Sequence, residues 1–325
     1  MAKLHTSISY DSRTVLQTFW GGVTVSIFIT TWISSLMSPF LLYYSIKTQN
    51  NLATSFILSV VAAAYIPFWD PKGKIPRAIK YFIDTYHPMF YTRCKVMFED
   101  SLPSTTSKPT FYAVHPHGAF CLGWSVLFAA NYMESTRFCF SPALYYSPFF
   151  RLFCLLVGNP GKADKKSMIS YMKRGENLAL PPGGFEEATL TSQLQDRAYI
   201  KKRAGFIKLC LQNGYAVVPV YCFGENETFW NVQGWWKLRL KINSFGVPAI
   251  LVWGAKFLPI LPKRSRHGLT IVAGKRLELP KIENPSRDDV KLWHDKYMSA
   301  LLKIFEDHKH EAYGDDAKTM KLELW

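Results

Sequence analysis

The chain has 325 residues, of which 48% are hydrophobic and 15% aromatic, and its formal net charge is +15 at pH 7. This length allows one large or two small domains, and the positive charge favours an anionic partner: nucleic acid, an anionic membrane surface or a phosphorylated ligand. The 6 cysteines are scattered without C-x-x-C spacing, which excludes a disulfide-rich secreted scaffold and favours a reduced, cytosol-facing protein.

Residues 1–70 predict an N-terminal tail and a transmembrane helical hairpin. No residue is charged in 14–46 or in 48–69, and the first run exceeds the roughly 20 residues that a spanning helix needs. Ser38-Pro39 predicts a kink or turn inside the first run. A cleaved signal peptide is an alternative, but its apolar region has about 7 to 15 residues. Buried core helices are the other alternative.

Positive charges after the hairpin predict its orientation. Lys72, Lys74, Arg77 and Lys80 follow the second run, whereas Lys47 alone lies between the two. The positive-inside rule therefore places the C-terminal part in the cytosol, with the N-terminus on the same side. A basic connector at 71–109, ending in the loop SLPSTTSKP, precedes a cytosol-facing domain at 110–325.

The C-terminal domain alternates short apolar runs with helical patterns, which predicts an α/β fold. The expected strands are 110–115, 137–141, 177–181, 216–223 and 269–273, and the expected helices are 122–133, 164–174, 203–213 and 287–309. Residues 229–262 mix Trp, Phe and Leu with Lys and Arg. Such a segment can lie in the membrane interface or form an aromatic-rich buried insertion.

Two histidines separated by one proline stand at the end of the first predicted strand, in FYAVHPHGAFCLG (111–123). Pro116 fixes the backbone between His115 and His117, so that a polar side chain can be held at a strand end, before the turn at Gly118. The chain has no G-x-S-x-G motif, which argues against a serine hydrolase of that type. General-base catalysis by a neutral imidazole is favoured. A zinc site with Glu187 as third ligand is the alternative.

A second motif, PPGGFEE (181–187), combines a turn with carboxylates. Its backbone N–H groups can bind an anion, and Glu187 can orient an imidazole, although an ordinary loop is an alternative interpretation. A basic cluster follows at Lys201, Lys202, Arg203 and Lys208, for which a solvated surface is the alternative.

HPHG (115–118), PPGGFEE and the stretches 203–227 and 274–298 together resemble the type-2 diacylglycerol acyltransferase family, which includes monoacylglycerol and wax-alcohol acyltransferases. The resemblance implies a mixed sheet flanked by helices, as in glycerol-phosphate acyltransferases. Those enzymes pair a histidine with a carboxylate five residues later, but here Phe120 and Leu122 occupy these positions. The carboxylate must come from elsewhere, with Glu187 as first choice and Glu225 as second. Tyr86-His87-Pro88 departs from the Tyr-Phe-Pro of many members.

The resemblance also implies roles for the site residues. His117 would deprotonate the acceptor hydroxyl while Glu187 holds its imidazole, and His115 would shape the site or share the base role. N–H groups near Gly183 and Gly184 would stabilise the oxyanion. The other residues expected to bind substrate are Gly118, Pro182, Lys201, Lys202, Arg203 and Lys208.

The resemblance implies an endoplasmic-reticulum membrane enzyme that moves a fatty acyl group from acyl-CoA to diacylglycerol, with lipid droplets as a further location. No metal or cofactor is expected, acyl-CoA being a substrate. Membrane lipids are expected partners, nucleic acid is not, and a homo-oligomer is compatible with the sequence. The alternative acceptors are monoacylglycerol and a wax alcohol, and a catalytically inactive membrane lipid-binding protein is the alternative of another class. The terminal MKLELW resembles hydrophobic retrieval signals of the endoplasmic reticulum.

Overall fold

The computed structural model describes residues 6–10, 13–66, 70, 73–100, 102, 108–246 and 249–325. The end of the second apolar run (67–69), Lys72 and most of the expected loop at 101–107 lie outside these residues.

The helices and strands follow in chain order. The helices are α1 (Val15–Lys47), α2 (Asn51–Tyr65), α3 (Lys74–Tyr86), α4 (Leu122–Ala129), α5 (Pro142–Tyr145), α6 (Pro148–Val157), α7 (Lys165–Lys173), α8 (Gly184–Leu190), α9 (Gly205–Asn213), α10 (Trp236–Asn243) and α11 (Arg287–Tyr313). The strands are β1 (Thr6–Ser9), β2 (Cys94–Phe98), β3 (Thr110–His115), β4 (Thr136–Phe140), β5 (Pro160–Lys162), β6 (Asn177–Leu180), β7 (Asp196–Ala198), β8 (Ala216–Phe223), β9 (Trp230–Asn231), β10 (Val252–Trp253), β11 (Leu269–Ala273), β12 (Leu277–Glu278) and β13 (Leu322–Leu324).

The expected α/β fold with a mixed sheet flanked by helices is confirmed. The main sheet has the order β1-β2-β11-β8-β3-β6-β4-β5, with β12 also paired to β8. β3 runs parallel to β6 and β8, whereas β11 runs antiparallel to β8. Every residue of β3 and β8 is buried, which explains their continuous apolar sequences. Part of the predicted connector, β2, is a strand of this sheet.

The N-terminal region contains two consecutive apolar helices, as expected for a hairpin. Within the described residues, α1 is the only helix long and apolar enough to cross a membrane, since α2 has 15 residues. Of the kink or turn predicted at Ser38-Pro39, the turn is not formed, because α1 continues through Pro39 and the chain turns after Lys47. A proline inside a long helix is tolerated where neighbouring elements and side chains compensate for the lost backbone hydrogen bond.

The central part of α1 packs into the core of the α/β domain. Val25, Phe28 and Ile29 are buried there, and the ring of Phe28 lies 6.0 Å from that of His87. His87 in turn shares a 2.8 Å hydrogen bond with the Ser125 hydroxyl on α4, so the departure at Tyr86-His87-Pro88 links α1 to α4. A Cβ on Gly21 would lie 2.5 Å from the backbone nitrogen of Phe90, which shows how closely α1 approaches the turn His87–Phe90 after α3.

The C-terminal residues form part of the fold. β13 pairs in parallel with β7, and the carbonyl of Trp325 accepts hydrogen bonds from the N–H groups of Ile200 and Lys201, at 3.0 and 2.7 Å. The segment that resembles a retrieval signal is therefore engaged in backbone pairing in this structure.

Candidate active site

The side chain of His115 is completely buried at the end of β3. Its Nδ1 lies 3.0 and 2.9 Å from the two carboxylate oxygens of Glu187, and its Nε2 lies 3.0 Å from the hydroxyl of Tyr297 on α11. Both ring nitrogens are thus engaged by protein groups. These are the positions that a metal ion would need, so the hydrogen bonds of His115 oppose the zinc interpretation. Within the described residues, no group of three or more His, Cys, Asp or Glu side chains could hold a metal ion.

His117 differs from His115 because its ring faces a cavity, where the residue is 8% exposed. Its Nδ1 lies 2.9 Å from the carbonyl oxygen of Gly118. A carbonyl can only accept a hydrogen bond, so Nδ1 carries the proton and Nε2 keeps its lone pair. Burial lowers the pKa of His117, an effect partly offset by the Gly118 carbonyl and the Glu187 carboxylate. His117 is therefore held as a neutral imidazole, the state that a general base requires.

Glu187, on α8, supports both histidines but in a way the sequence did not predict. Its Oε1 accepts the backbone N–H of His117 at 2.6 Å, and its Oε2 accepts the N–H of Tyr199 at 2.8 Å. The expectation that Glu187 holds the imidazole of His117 is wrong, because the carboxylate binds the ring of His115 instead. His117 lies in the turn beyond the end of β3, and there the carbonyl of Gly118 orients its ring.

The glycines of the two motifs permit close packing around these carboxylates. A Cβ on Gly183 would lie 2.0 Å from Oε2 of Glu187, and a Cβ on Gly118 would lie 2.2 Å from Oε1 of Glu225. Gly184 has a φ of +57° and donates its N–H to the Pro181 carbonyl at 3.3 Å. The N–H of Gly184 therefore closes the turn in this structure, and the oxyanion role expected for N–H groups near Gly183 and Gly184 stays a prediction.

Glu225 caps a helix, and within the described residues no hydrogen bond joins it to either imidazole. Its two carboxylate oxygens accept the N–H groups of Leu122 and Gly123, at 2.9 and 2.6 Å, at the start of α4. Burial raises the pKa of Glu225 to about 7. Its place beside Gly118 assigns it to positioning the turn after His117 rather than to pairing with a histidine.

The cavity next to His117 has a volume of about 290 Å³ and is mostly apolar. Its walls include Trp32 from α1 and Trp124 from α4, together with Phe140 and Leu144. Of the predicted substrate-binding residues, Pro182, Gly184 and Arg203 line it. A wall contributed by Trp32 makes the long apolar helix α1 part of the candidate site.

A second cavity of about 530 Å³ adjoins the first and shares Pro182 and Arg203 with it. Lys202 and Lys208, which belong to the predicted basic cluster, line this second cavity. Lys165 of α7 also lines it. Lys201 is not among its lining residues. The apolar cavity that His117 faces thus adjoins a cavity lined by lysines. This arrangement suits a ligand with an apolar tail and an anionic head.

Three residues of the site were not predicted from the sequence: Tyr297, Trp32 and Lys165. Tyr297 lies on an apolar face with helical spacing, which by itself indicates packing, Trp32 lies in the predicted hairpin, and Lys165 lies between HPHG and PPGGFEE, outside both motifs. The basic composition of KADKK (162–166) is the signal that could have indicated Lys165.

Comparison with known proteins now identifies the family. Residues 56–324 match the family model described as "Diacylglycerol acyltransferase". The chain belongs to the diacylglycerol acyltransferase family. It is accordingly an acyltransferase, as the resemblance predicted.

Several curated relatives are similar to this acyltransferase. Diacylglycerol O-acyltransferase 2-like protein 6 of Mus musculus is 33% identical over 242 residues, which cover 65% of this chain and 68% of the relative. Diacylglycerol O-acyltransferase 2 of Danio rerio is 26% identical over 315 residues, covering 88% and 84%. 2-acylglycerol O-acyltransferase 3 of Homo sapiens is 29% identical over 232 residues, covering 63% and 65%.

Among solved structures, the 1-acyl-sn-glycerophosphate acyltransferase PlsC from Thermotoga maritima is similar over 88% of this acyltransferase and 94% of that chain. The identity is 12% and the TM-score is 0.40, too low for an inference about function.

Proposed function

We propose that this acyltransferase moves a fatty acyl group from acyl-CoA to the hydroxyl of diacylglycerol, forming triacylglycerol. The observation that carries the proposal is the imidazole of His117, which faces an apolar cavity with Nδ1 bound to the Gly118 carbonyl. Nε2 is then the acceptor for the proton of a lipid hydroxyl.

The reaction follows from this tautomer. Nε2 of His117 takes the proton of the acceptor hydroxyl as the oxygen attacks the thioester carbonyl carbon, giving a tetrahedral intermediate. The carbon–sulfur bond then breaks, and the coenzyme A thiolate takes the proton from the imidazolium, so free coenzyme A and the ester are formed. The N–H of Gly183 remains the predicted donor to the oxyanion.

Glu187 and His115 act as positioning residues in this proposal. Glu187 holds the backbone of His117 at 2.6 Å, and its negative charge favours the imidazolium that forms during the reaction. His115 holds Glu187 through a hydrogen bond of 2.9 Å, and Tyr297 holds the other ring nitrogen of His115 at 3.0 Å, so that these contacts link β3, α8 and α11.

The basic cavity supports acyl-CoA as donor. Lys165, Lys202 and Lys208 present cations where the phosphates of coenzyme A would bind, and Arg203 joins this cavity to that of His117. The apolar cavity, with Trp32 of α1 in its wall, supports a lipid acceptor. Membrane association is supported by the length and apolar composition of α1. The cytosolic face of the endoplasmic reticulum is proposed from the basic residues that follow the hairpin and from the resemblance to the family.

A monoacylglycerol or a wax alcohol is the second candidate acceptor, and similarity to a protein named 2-acylglycerol O-acyltransferase 3 favours the first of these. The hydrogen-bonded arrangement of His115, His117 and Glu187 argues against an inactive lipid-binding protein.

Expression in cells that lack storage lipid tests the proposal, with the His117→Ala variant as control. Triacylglycerol that forms in cells expressing the wild-type chain, but not in cells expressing the variant, supports the proposal. If wax ester forms instead of triacylglycerol, the acceptor is a wax alcohol. If supplied monoacylglycerol is converted to diacylglycerol and no triacylglycerol forms, the acceptor is monoacylglycerol. The absence of any new lipid at normal protein level would refute acyl transfer.

A further inference from the structure

A groove separate from the catalytic cavity lies between α1 and residues 255–264 and has a volume of about 950 Å³. One wall is formed by α1 with Gly22, Ser26 and Thr30, and the other includes Leu258 and Leu261. The hydroxyls of Ser26 and Thr30 donate to backbone carbonyls of their own helix. The wall therefore offers few free polar groups, and the groove suits hydrocarbon chains.

Positive charge lies along the same groove, at Lys256, Lys263 and Arg264. Lys263 Nζ donates to the side-chain oxygen of Gln193 at 3.1 Å and lies 4.4 Å from the ring centroid of Trp230. Both of these partners are neutral. Within the described residues, no carboxylate forms an ion pair with any of the three cations. An anionic group in the groove would pair with these cations.

Glu227 is the carboxylate whose charge acts on Lys263, but it is already paired with His267. Burial lowers the pKa of the Lys263 ammonium, consistent with a cation that lacks full compensation.

The loop between these cations is apolar and exposed. Phe257 is 88% exposed, and Leu258 and Ile260 are also exposed. A soluble surface rarely presents such a cluster, whereas a loop that enters the membrane interface combines apolar tips with flanking Lys and Arg. The loop and the exposed residues Val15 and Phe19 of α1 border the same groove.

We propose that this groove binds a phospholipid with an anionic headgroup. The acyl chains lie between α1 and the 255–264 segment, and the headgroup contacts Lys256, Lys263 and Arg264. A neutral glycerolipid would leave these cations without an anionic partner, and a free phosphate would leave the apolar walls uncovered. The inference rests on the proposed membrane association, but it requires no acyl transfer.

The test uses the full chain purified in a nonionic detergent and titrated with dioctanoyl phosphatidylserine, dioctanoyl phosphatidylcholine or inorganic phosphate. Thermal unfolding or tryptophan fluorescence reports binding without any acyl-CoA present. We expect phosphatidylserine to bind at least roughly tenfold more tightly than phosphatidylcholine, because each nearby cation favours the anionic headgroup. Inorganic phosphate should have no effect at the same concentration.

The matched variants separate headgroup recognition from net charge. Combined K256Q, K263Q and R264Q should remove the preference for phosphatidylserine. K291Q, K296Q and K303Q together remove three exposed lysines from α11 and should keep it. Equal affinity for the two phospholipids, a preference retained by the first variant, or an equal response to inorganic phosphate would overturn the inference. Because no turnover is measured, these results do not depend on whether the chain forms triacylglycerol.

Discussion

The carboxylate of Glu187 lies 2.9 Å from Nδ1 of His115, the histidine that does not face the cavity. Through its other oxygen, 2.6 Å from the N–H of His117, the same carboxylate fixes the backbone of the histidine that does. The two histidines of the HPHG motif therefore have different roles: the imidazole of His115 holds the carboxylate, and that of His117 accepts the proton.

Glu187→Gln should reduce turnover strongly while changing acyl-CoA binding little. The glutamine amide has one oxygen, and its NH₂ group would face an N–H donor, which costs about 1–3 kcal/mol for an unsatisfied buried group. Steady-state kinetics and acyl-CoA binding, measured on equal amounts of folded protein, check this. Unchanged turnover would remove Glu187 from the site.

Glu225 should make stability depend on pH. Because burial raises its pKa from 4.5 to about 7, the folded state binds a proton more readily than the unfolded state between these values. The stabilisation from this group is present below about pH 4.5 and is lost as the pH rises through about 7. Thermal unfolding of wild type and Glu225→Gln from pH 5 to 8 isolates the effect. We expect the variant to lose less stability over this range, and parallel curves would contradict the assignment.

Two adjacent glycines of α1 provide a matched test of its packing. Gly21→Ala places a Cβ 2.5 Å from the Phe90 nitrogen, whereas Gly22→Ala places one 3.9 Å from the nearest atom, in ordinary contact. Gly21→Ala should lower the free energy of unfolding by about 1–3 kcal/mol through overpacking. Gly22→Ala should be neutral or slightly stabilising. Similar midpoints in detergent for both variants would show that α1 does not pack on the domain in this way.

The lysines of the basic cavity should act on donor affinity. Lys202→Gln and Lys208→Gln each remove a cation from the cavity and should raise the KM for acyl-CoA a few-fold, with about 0.2–1 kcal/mol expected for an exposed ionic contact. Lys201→Gln removes an equal charge outside the cavity lining and serves as control. Equal KM values in the three variants would place the coenzyme elsewhere.

The sequence predicted the features that depend on local patterns. The apolar runs of β3 and β8 are short-range signals, and both appear in the structure as buried strands. Short strands such as β13 were missed because three residues carry no clear periodicity.

The site residues were identified in part for a similar reason. The motifs indicated His117 and Glu187, but which nitrogen meets which oxygen depends on contacts 70 or more residues apart in the chain. Trp32 could not be found from sequence, since an apolar residue in a predicted membrane helix gives no sign that it lines a catalytic cavity.

Acyl transfer by His117→Ala tests the account most directly. Membranes with equal amounts of wild type and variant are supplied with radiolabelled acyl-CoA and diacylglycerol, and the ester formed is measured under initial-rate conditions. If His117 is the general base, the variant should lose at least about 100-fold in rate, the contribution typical of such a base. Turnover within a few-fold of wild type would contradict it, because the proton would then have another acceptor.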